Sequence, residues 1–568
     1  MTGLTAGLQL RTGWTVGLNH GPHDSACALL KDGALVVSIE QERLSRHKQA
    51  IGESPAHALR YCLDFAGIQL PDIDAVALGS HHALLAAWMG ENEQRAGDVS
   101  YDSPEWLFPE TLFGTARHPP LIPVRHHIAH AGSGYWPSGF DEAAILVMDA
   151  MGEDSSTSLA VGTADGIEII EDHPVDVSLG FFYEAAAQFA GLGRRHAGKL
   201  MGLAAYGKPS QDVGLHFSPD GISWGDLGGR PGAGRAMIEE RMRRLVEHFE
   251  LVCYPYNSDC TEDIAAYADF AASVQAALEQ VVLGLAERLR RLSGSPDVVI
   301  AGGVGLNCSA NGALADAGVF ERVWVQPMAH DSGVALGAAL ATAHDAGQDV
   351  RGWTPMRHAY WGVPTDDADV DAELKRHRID VPRLPTAELL ARTARVLADG
   401  GIVAWHQGRS EVGPRALGAR SLLGDPRSRR TLVRLNQAKR REMWRPLAPS
   451  VLADRFSDYF DGTPNEFMIV AAQVRPEVRR RIPAVVHVDG SARPQAVSAD
   501  TNPRYAGLLT EFERLTGIPL VVNTSLNVAD EPLCASAADS VRTFLRSGAD
   551  ALAIGPYLVR REDVSSAR

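Results

Sequence analysis

The segment His126-His-Ile-Ala-His130 places two imidazoles four residues apart. On a helix they share one face and can grip a single cation. The residue between them at position 127 is His rather than Glu, so the H-E-x-x-H pattern of zincin proteases is absent. Two carboxylates stand where chain elements end: Asp149 closes the apolar run from Ala143, and Asp331 lies in Pro327-Met-Ala-His-Asp-Ser-Gly333. Two imidazoles with two carboxylates suit iron, manganese or zinc. An isolated His pair at this spacing is more often a packed or solvated feature than a metal site, so the carboxylates decide.

Three further groups could carry chemistry. In His20-Gly-Pro-His23-Asp24 a histidine sits beside a carboxylate, the arrangement of an oriented general base or of an ordinary capped turn. In Ala197-Gly-Lys-Leu-Met-Gly202, Lys199 stands among small residues, where it can meet a phosphate or simply face solvent. The third is basic. From Arg409 to Arg445 there are eleven Lys/Arg against Glu411, Asp425 and Glu442, a local 11 − 3 = +8. Glycines interrupt this run and aromatics are sparse. Arg415 follows Gly-Pro and Arg445 precedes Pro446, on stiffened backbone. That suits one small phosphate held by guanidinium forks better than a polymer. Arg493, Asn523 and Ser525 lie in later loop and strand-end positions that could complete the same pocket.

These groups need elements to carry them. Trp14–Asn19 reads as a strand, and residues 26–40 read as two strands joined by an Asp32-Gly33 turn. The pattern recurs from Ala143 to Ile170, with Asp165-Gly166 as its turn. A strand–loop–strand–turn–strand unit used twice is a weak internal repeat, of the kind on which actin-like ATPase folds are built. Residues 297–311 read as a buried strand, a glycine turn at Gly302-Gly303 and a helix, with Asn307 in the turn. Adjacent glycines at a strand end let a nucleotide approach the backbone. No G-K-[ST] follows, so this is not a P-loop. Composition shifts between Asp345 and Pro385, and a domain junction is expected there, giving 1–355 and 356–568. A helix from Thr386 and the strand before Gly408 open a second α/β domain.

Bulk properties narrow the partners. The 568 residues exceed one ordinary core. Lys+Arg total 54 and Asp+Glu 70, a net charge of −16 that argues against broad affinity for nucleic acid or an anionic membrane. Six cysteines (27, 62, 253, 260, 308 and 534) form no C-x-x-C pair, which fits a reducing compartment. There is no leader-like N-terminus and no apolar run long enough to span a bilayer, so a cytoplasmic location is expected.

Read in order, residues 17–30 (GLNHGPHDSACALL), 40–48 (EQERLSRHK), 126–131 (HHIAHA), 197–207 (AGKLMGLAAYG), 301–307 (AGGVGLN), 411–427 (EVGPRALGARSLLGDPR), 444–451 (WRPLAPSV) and 523–527 (NTSLN) resemble the O-carbamoyltransferases of the NodU/CmcH type. The resemblance runs from about Trp14 to Tyr557. It implies an α/β protein with an N-terminal Kae1-like domain of the actin-like ATPase (ASKHA) fold and a C-terminal YrdC-like domain. It implies transfer of the carbamoyl group of carbamoyl phosphate, through carbamoyl adenylate made from ATP, to a hydroxyl of a small natural product of the antibiotic type. By similarity His126, His130, Asp149 and Asp331 ligate a divalent metal, iron first and magnesium or manganese otherwise. Lys199, Gly302, Gly303 and Asn307 line the adenylate. Arg415, Lys439, Arg445, Arg493, Asn523 and Ser525 hold carbamoyl phosphate, and His23, Lys439 and Arg493 act as catalytic groups. No nucleic acid or membrane partner is implied, and a homodimer is compatible with the pattern. One departure stands out: a loop that usually reads D-G-x-G-E is here Asp149-Ala-Met-Gly-Glu153. Ala150 is expected to be tolerated unless the loop needs positive φ. The alternatives are a tRNA threonylcarbamoyl-type modification enzyme, disfavoured by the acidic balance, and a non-catalytic actin-like nucleotide-binding protein, for which the basic pocket would be superfluous.

Overall fold

The computed structural model describes residues 10–90, 101–115, 117–224, 234–253 and 267–565. Cys260 lies outside them. The chain forms two compact units. The first contains residues 1–42 and 49–356, the second 43–48 and 357–568.

The first unit holds two five-stranded sheets. One is built from β1 (Trp14–Asn19), β2 (Ala26–Lys31), β3 (Ala34–Glu40), β4 (Ala75–Leu78) and β5 (Leu121–Pro123), in the order β3-β2-β1-β4-β5. The other uses β6 (Ala143–Met148), β7 (Ser155–Thr163), β8 (Gly166–Pro174), β11 (Asp297–Ala301) and β12 (Arg322–Val325), in the order β8-β7-β6-β11-β12, while β9 (His216–Ser218) and β10 (Gly221–Ser223) form a separate hairpin. The two sheets share one plan. In each, three strands run as an antiparallel meander and the first of them then pairs in parallel with a later strand, which pairs in parallel with the next. The weak repeat in the sequence is therefore a duplicated sheet. Its turns form as their residues require, with Asp32 at φ 50° before Gly33 at φ 81°, and Gly166 at φ 121°.

Two helices of the first unit matter most for the site. His126–Ser138 and Ser332–Asp345 are almost wholly buried, and the second is rich in glycine and alanine. A helix apolar on all sides can be buried on all sides. Its small residues permit unusually close packing. A Cβ at Gly337 would lie 1.7 Å from the Ala129 carbonyl oxygen, and one at Gly17 of β1 would lie 1.8 Å from that of Ala335. The backbones of the two helices therefore touch, and Asp331, at the N-terminal end of one, is brought to the His pair on the other.

The second unit holds a mixed seven-stranded sheet. Its strands are β13 (Val403–His406), β14 (Arg420–Gly424), β15 (Ala448–Leu452), β18 (Gln495–Val497), β19 (Leu520–Ser525), β20 (Ala551–Ile554) and β21 (Tyr557–Arg560), in the order β18-β15-β19-β14-β13-β20-β21. A short pair, β16 (Ala472–Gln473) and β17 (Ser491–Ala492), lies apart from this sheet. The loop from β13 to β14 is held from inside by Glu411, whose buried Oε1 accepts the N–H groups of Leu417 at 2.7 Å, Ala419 at 2.7 Å and Arg420 at 3.2 Å. Arg420 is fully buried and donates to the carbonyls of Gln407, Gly408, Val363 and Ala535. No described helix is long and apolar enough to cross a membrane.

Gly337→Ala is expected to cost about 3 kcal/mol or more, because the added methyl meets backbone rather than a movable side chain. A shift of the thermal unfolding midpoint by several degrees checks this, and a variant as stable as the parent would refute the packing argument.

Candidate active sites

In the first unit four side chains converge. The candidate ligand atoms of His126, His130, Asp149 and Asp331 all lie within 4.8 Å of one another. His126 Nε2 is 3.6 Å from Asp149 Oδ2 and 3.7 Å from Asp331 Oδ1, while His130 Nε2 is 3.5 Å from Asp331 Oδ1 and 3.1 Å from His126 Nε2. His126, His130 and Asp149 are buried. His126 Nδ1 faces the Gly79 carbonyl at 2.9 Å, which fixes that nitrogen as an N–H donor and leaves Nε2 as the nitrogen aimed at the cluster. Burial and Asp331 push the Asp149 carboxyl up, but the two imidazoles outweigh them and it ends low. Burial also opposes ionisation of Asp331, yet hydrogen bonds to His126 and His130 hold it well below the usual range. His126 is raised despite its burial, by the two carboxylates. A ring of N and O donors that polarises itself this strongly fits a divalent cation.

The supporting elements explain residues the sequence left open. Glu153 is buried, and its Oε1 accepts from the N–H groups of His126 at 3.0 Å and His81 at 2.8 Å. It caps the helix that carries the His pair, where a carboxylate is favoured. His127 is not part of the cluster. Its Nδ1 lies 2.6 Å from Ser158 Oγ, and burial together with His126 and His130 pushes it down to about 3, so it stays neutral. Ala150 is not in the left-handed region, so its methyl costs the loop nothing. What the loop does demand is Gly180, where a Cβ would lie 2.6 Å from Ala150 backbone.

His23 stands at the edge of this cluster. Its Nδ1 is 3.1 Å from Asp24 Oδ2 and 3.8 Å from Asp331 Oδ2, and its side chain is half exposed. The hydrogen bond to Asp24, with added pull from Asp331 and Asp149, raises it to about 9 against the opposing effect of burial. The residues expected around a nucleotide also have structural duties. Gly302, at φ 87°, has no room for a Cβ because the Met148 carbonyl oxygen would be 2.2 Å away. Gly303 N donates to Asp149 Oδ1 at 3.1 Å. The glycine pair thus aims Asp149, turning its other oxygen toward the imidazoles. Asn307 caps the helix that follows, accepting from Ala310 N at 3.1 Å, and its amide pairs with Gln275. Lys199 is half-buried in the Ala197–Ala204 helix, which meets the Asn307-capped helix through a 3.6 Å contact between Met201 and Cys308.

The second unit holds the other cluster. Lys439 is buried, and its Nζ donates to the Ser525 carbonyl at 2.5 Å, Ser525 Oγ at 3.0 Å, and the Asn527 carbonyl and Oδ1 at 3.1 and 2.5 Å. All of these acceptors are uncharged. Burial, then Arg441 and Arg445, push the ammonium well below the ordinary lysine range. Arg441 is pushed down to about 9 by burial, Arg445 and Arg493. Burial lowers Arg445 as well; Glu442, 3.7 Å away, pulls it back up, and Arg493 adds to the lowering. The Arg493 Nε is buried with no hydrogen-bond partner among the described residues. A guanidinium stays charged, so this crowding marks a place short of negative charge. Asn523 is tied down at three points, to Ala416 O, Ser450 Oγ and Gln495 Oε1, at 3.0, 2.9 and 3.2 Å, while its own Oδ1 has no partner among the described residues. Arg415 lies on the loop held by Glu411. Arg441 and Asn527 were not singled out from sequence, though both sit inside motifs that were.

The family description "Carbamoyltransferase N-terminus" matches residues 15–340, and "Carbamoyltransferase C-terminus" matches residues 394–561. Nodulation protein NolNO of Sinorhizobium fredii is 35% identical over 560 residues, covering 96% of this chain and 80% of the relative. Nodulation protein U of Rhizobium tropici is 31% identical over 550 residues, with 89% of each covered. Among solved structures, full-length HypF in its phosphate- and nucleotide-bound form shares 13% identity and a TM-score of 0.33 over 60% of this chain and 57% of that one. Component A of Acidaminococcus fermentans (R)-2-hydroxyglutaryl-CoA dehydratase shares 17% and 0.31 over 59% of this chain and 99% of that one.

Asp331→Asn is expected to weaken manganese binding beyond the roughly hundredfold typical of outer-shell changes. Calorimetry on the full chain measures this, and parent-like affinity would remove Asp331 from the ligand set.

Proposed function

We propose that this chain, which belongs to the carbamoyltransferase family and is a carbamoyltransferase enzyme, is ATP-dependent and acts through carbamoyl adenylate on a hydroxyl of a small natural product. The observation that carries this reading is the cationic cluster around Lys439, whose ammonium meets only uncharged acceptors and whose charge is opposed by Arg441 and Arg445, a setting suited to a small phosphate ester. The duplicated sheet plan supports an actin-like, Kae1-like assignment for residues 1–355, and the second mixed sheet a YrdC-like one for 356–568.

In this reading Lys439, Arg445 and Arg493 hold carbamoyl phosphate, with Arg415 on its preformed loop. Water cleaves it to carbamate and phosphate, and the cations stabilise the charge that gathers on the leaving phosphate. Asn523 Oδ1 is an acceptor for the carbamoyl N–H. Carbamate then attacks the α-phosphorus of ATP, forming carbamoyl adenylate and releasing pyrophosphate. A divalent cation held by His126, His130, Asp149 and Asp331 would supply charge neutralisation for the nucleotide phosphates, iron being the first choice for this donor set. The acceptor hydroxyl attacks the carbamoyl carbon, AMP leaves, and the neutral form of His23, oriented by Asp24 and the minor form below about pH 9, accepts the hydroxyl proton. Lys199 is suited to the nucleotide phosphates, and Gly302, Gly303 and Asn307 shape that end of the site by holding Asp149 and the helix behind it.

Pyrophosphate should be released only when carbamoyl phosphate and ATP are both present with a divalent cation. Release that is independent of carbamoyl phosphate, or none under any combination, would sink the proposal.

A further inference from the structure

We infer that a one-way chain of hydrogen bonds through Gln495 and Ser450 fixes the Asn523 amide with its oxygen left open, so that the anion site of the second unit selects a phosphate ester whose acyl carbon bears an amino group over one that bears a methyl group. Gln495 and Ser450 are positioning residues, and Asn523 alone of the three touches the ligand. This rests on the function proposed above and lies wholly within the second unit.

Three neighbouring strands carry these residues in one row. In the sheet order β18-β15-β19, Gln495 is the register partner of Ser450, and Asn523 is the partner of Ala448, two residues before Ser450 and on the same face. All three side chains are buried. The row ends on two consecutive main-chain carbonyls, which can only accept. Gln495 Nε2 donates to Leu417 O at 2.7 Å, so its Oε1 faces the other way. Asn523 Nδ2 donates to Ala416 O at 3.0 Å. The carbonyls are themselves held in place: Glu411 Oε1 accepts the N–H groups of Leu417 and Ala419, and Tyr360 Oη donates to Leu417 O at 2.7 Å.

Between these ends the direction is forced. Ser450 Oγ lies 2.6 Å from Gln495 Oε1, a contact that only the hydroxyl proton can make. With that proton engaged, Ser450 Oγ can only accept from Asn523 Nδ2, at 2.9 Å. Asn523 Nδ2 also lies 3.2 Å from Gln495 Oε1. The Asn523 amide protons are thus held by protein acceptors, and Oδ1 is left buried without a partner among the described residues. A buried carbonyl oxygen without a donor is unfavourable. Asn523 stands two residues from Ser525, whose Oγ accepts from Lys439, so the two share one face of β19. Its anchor Ala416 directly follows Arg415. The group that completes Oδ1 is an uncharged N–H donor on a ligand whose phosphate lies among the cations. A carbamoyl ester supplies it, whereas an acetyl ester of the same size and charge buries a methyl group against the oxygen. Without Gln495 the Ser450 proton is released. It can then meet Asn523 Oδ1 once the amide turns over, and the oxygen is satisfied before any ligand arrives.

Calorimetry on the full chain tests this with phosphonoacetamide and acetonylphosphonate, stable analogues that differ as an amino group from a methyl group, and with inorganic phosphate as the measure of the cation cluster alone. The parent should bind the amide at least roughly tenfold more tightly than the ketone. Gln495→Met should keep phosphate affinity within about threefold of the parent and bring the two analogues within about threefold of each other. Gln495→Met combined with Ser450→Ala should regain a preference of about fivefold or more, because no hydroxyl remains to hold the turned-over oxygen, whereas mere damage to packing would deepen with the second change. Equal affinities in the parent would overturn the inference while leaving the phosphate site standing. So would an undiminished preference in Gln495→Met, or no recovery in the double variant. A Gln495→Met protein that also loses phosphate would overturn it too, since Gln495 would then be supporting the cations. A parent that binds none of the three ligands has no anion site, and the proposed function falls first.

Discussion

A buried charge must be matched, and this constraint organises both units. In the second unit Lys439, Arg441, Arg445 and Arg493 are gathered around acceptors that are almost all neutral. Removing such groups from water costs several kcal/mol each unless an opposite charge is supplied. The fold supplies rigid carbonyls and hydroxyls instead, enough to hold the cations in place but not to satisfy them. In the first unit the sign is reversed: Asp149 and Asp331 face each other across two imidazoles, and the carboxylates stay ionised only because the imidazoles are there. In the proposed reading an ion of the right sign would complete each centre, which would couple ligand binding to the energetics of the fold.

Much of the architecture can be traced to holding these centres still. Gly302 and Gly303 let β6 and β11 meet closely enough for Gly303 N to steer Asp149. Gly337 lets two helix backbones touch so that Asp331 reaches the His pair. Glu153 and the Gly79 carbonyl set the helix end and the tautomer of His126. Glu411 does the corresponding work for the Arg415 loop. None of these groups needs to touch a substrate; each holds in place a residue of one of the two candidate sites.

What was legible in the sequence follows from the range of the signal. The His126/His130 spacing is a property of one helix turn, and the Asp32-Gly33 and Asp165-Gly166 turns are local; all formed as read. The repeated strand pattern carried enough to foretell two sheets of the same plan. Long-range duties left no local mark. Gly302, expected beside a nucleotide, has a packing duty as well: it is excluded from bearing a Cβ by Met148, more than a hundred residues away in the chain. Asn307, expected there too, is also a helix cap. Arg441 and Asn527 were hidden inside a basic run and a polar strand end, where only the fold shows which side chains turn toward Lys439. The excursion of Arg43–Lys48 into the second unit has no sequence signature beyond its own charge.

The central claim is that the cluster around Lys439 is a site for one small phosphate ester. Calorimetric titration of the full chain with carbamoyl phosphate, in the absence of ATP, tests it most directly. The account predicts one saturable site per chain, weakened at least roughly thirtyfold by Lys439→Met. No saturable heat, or equal affinity in the Lys439→Met protein, would contradict it.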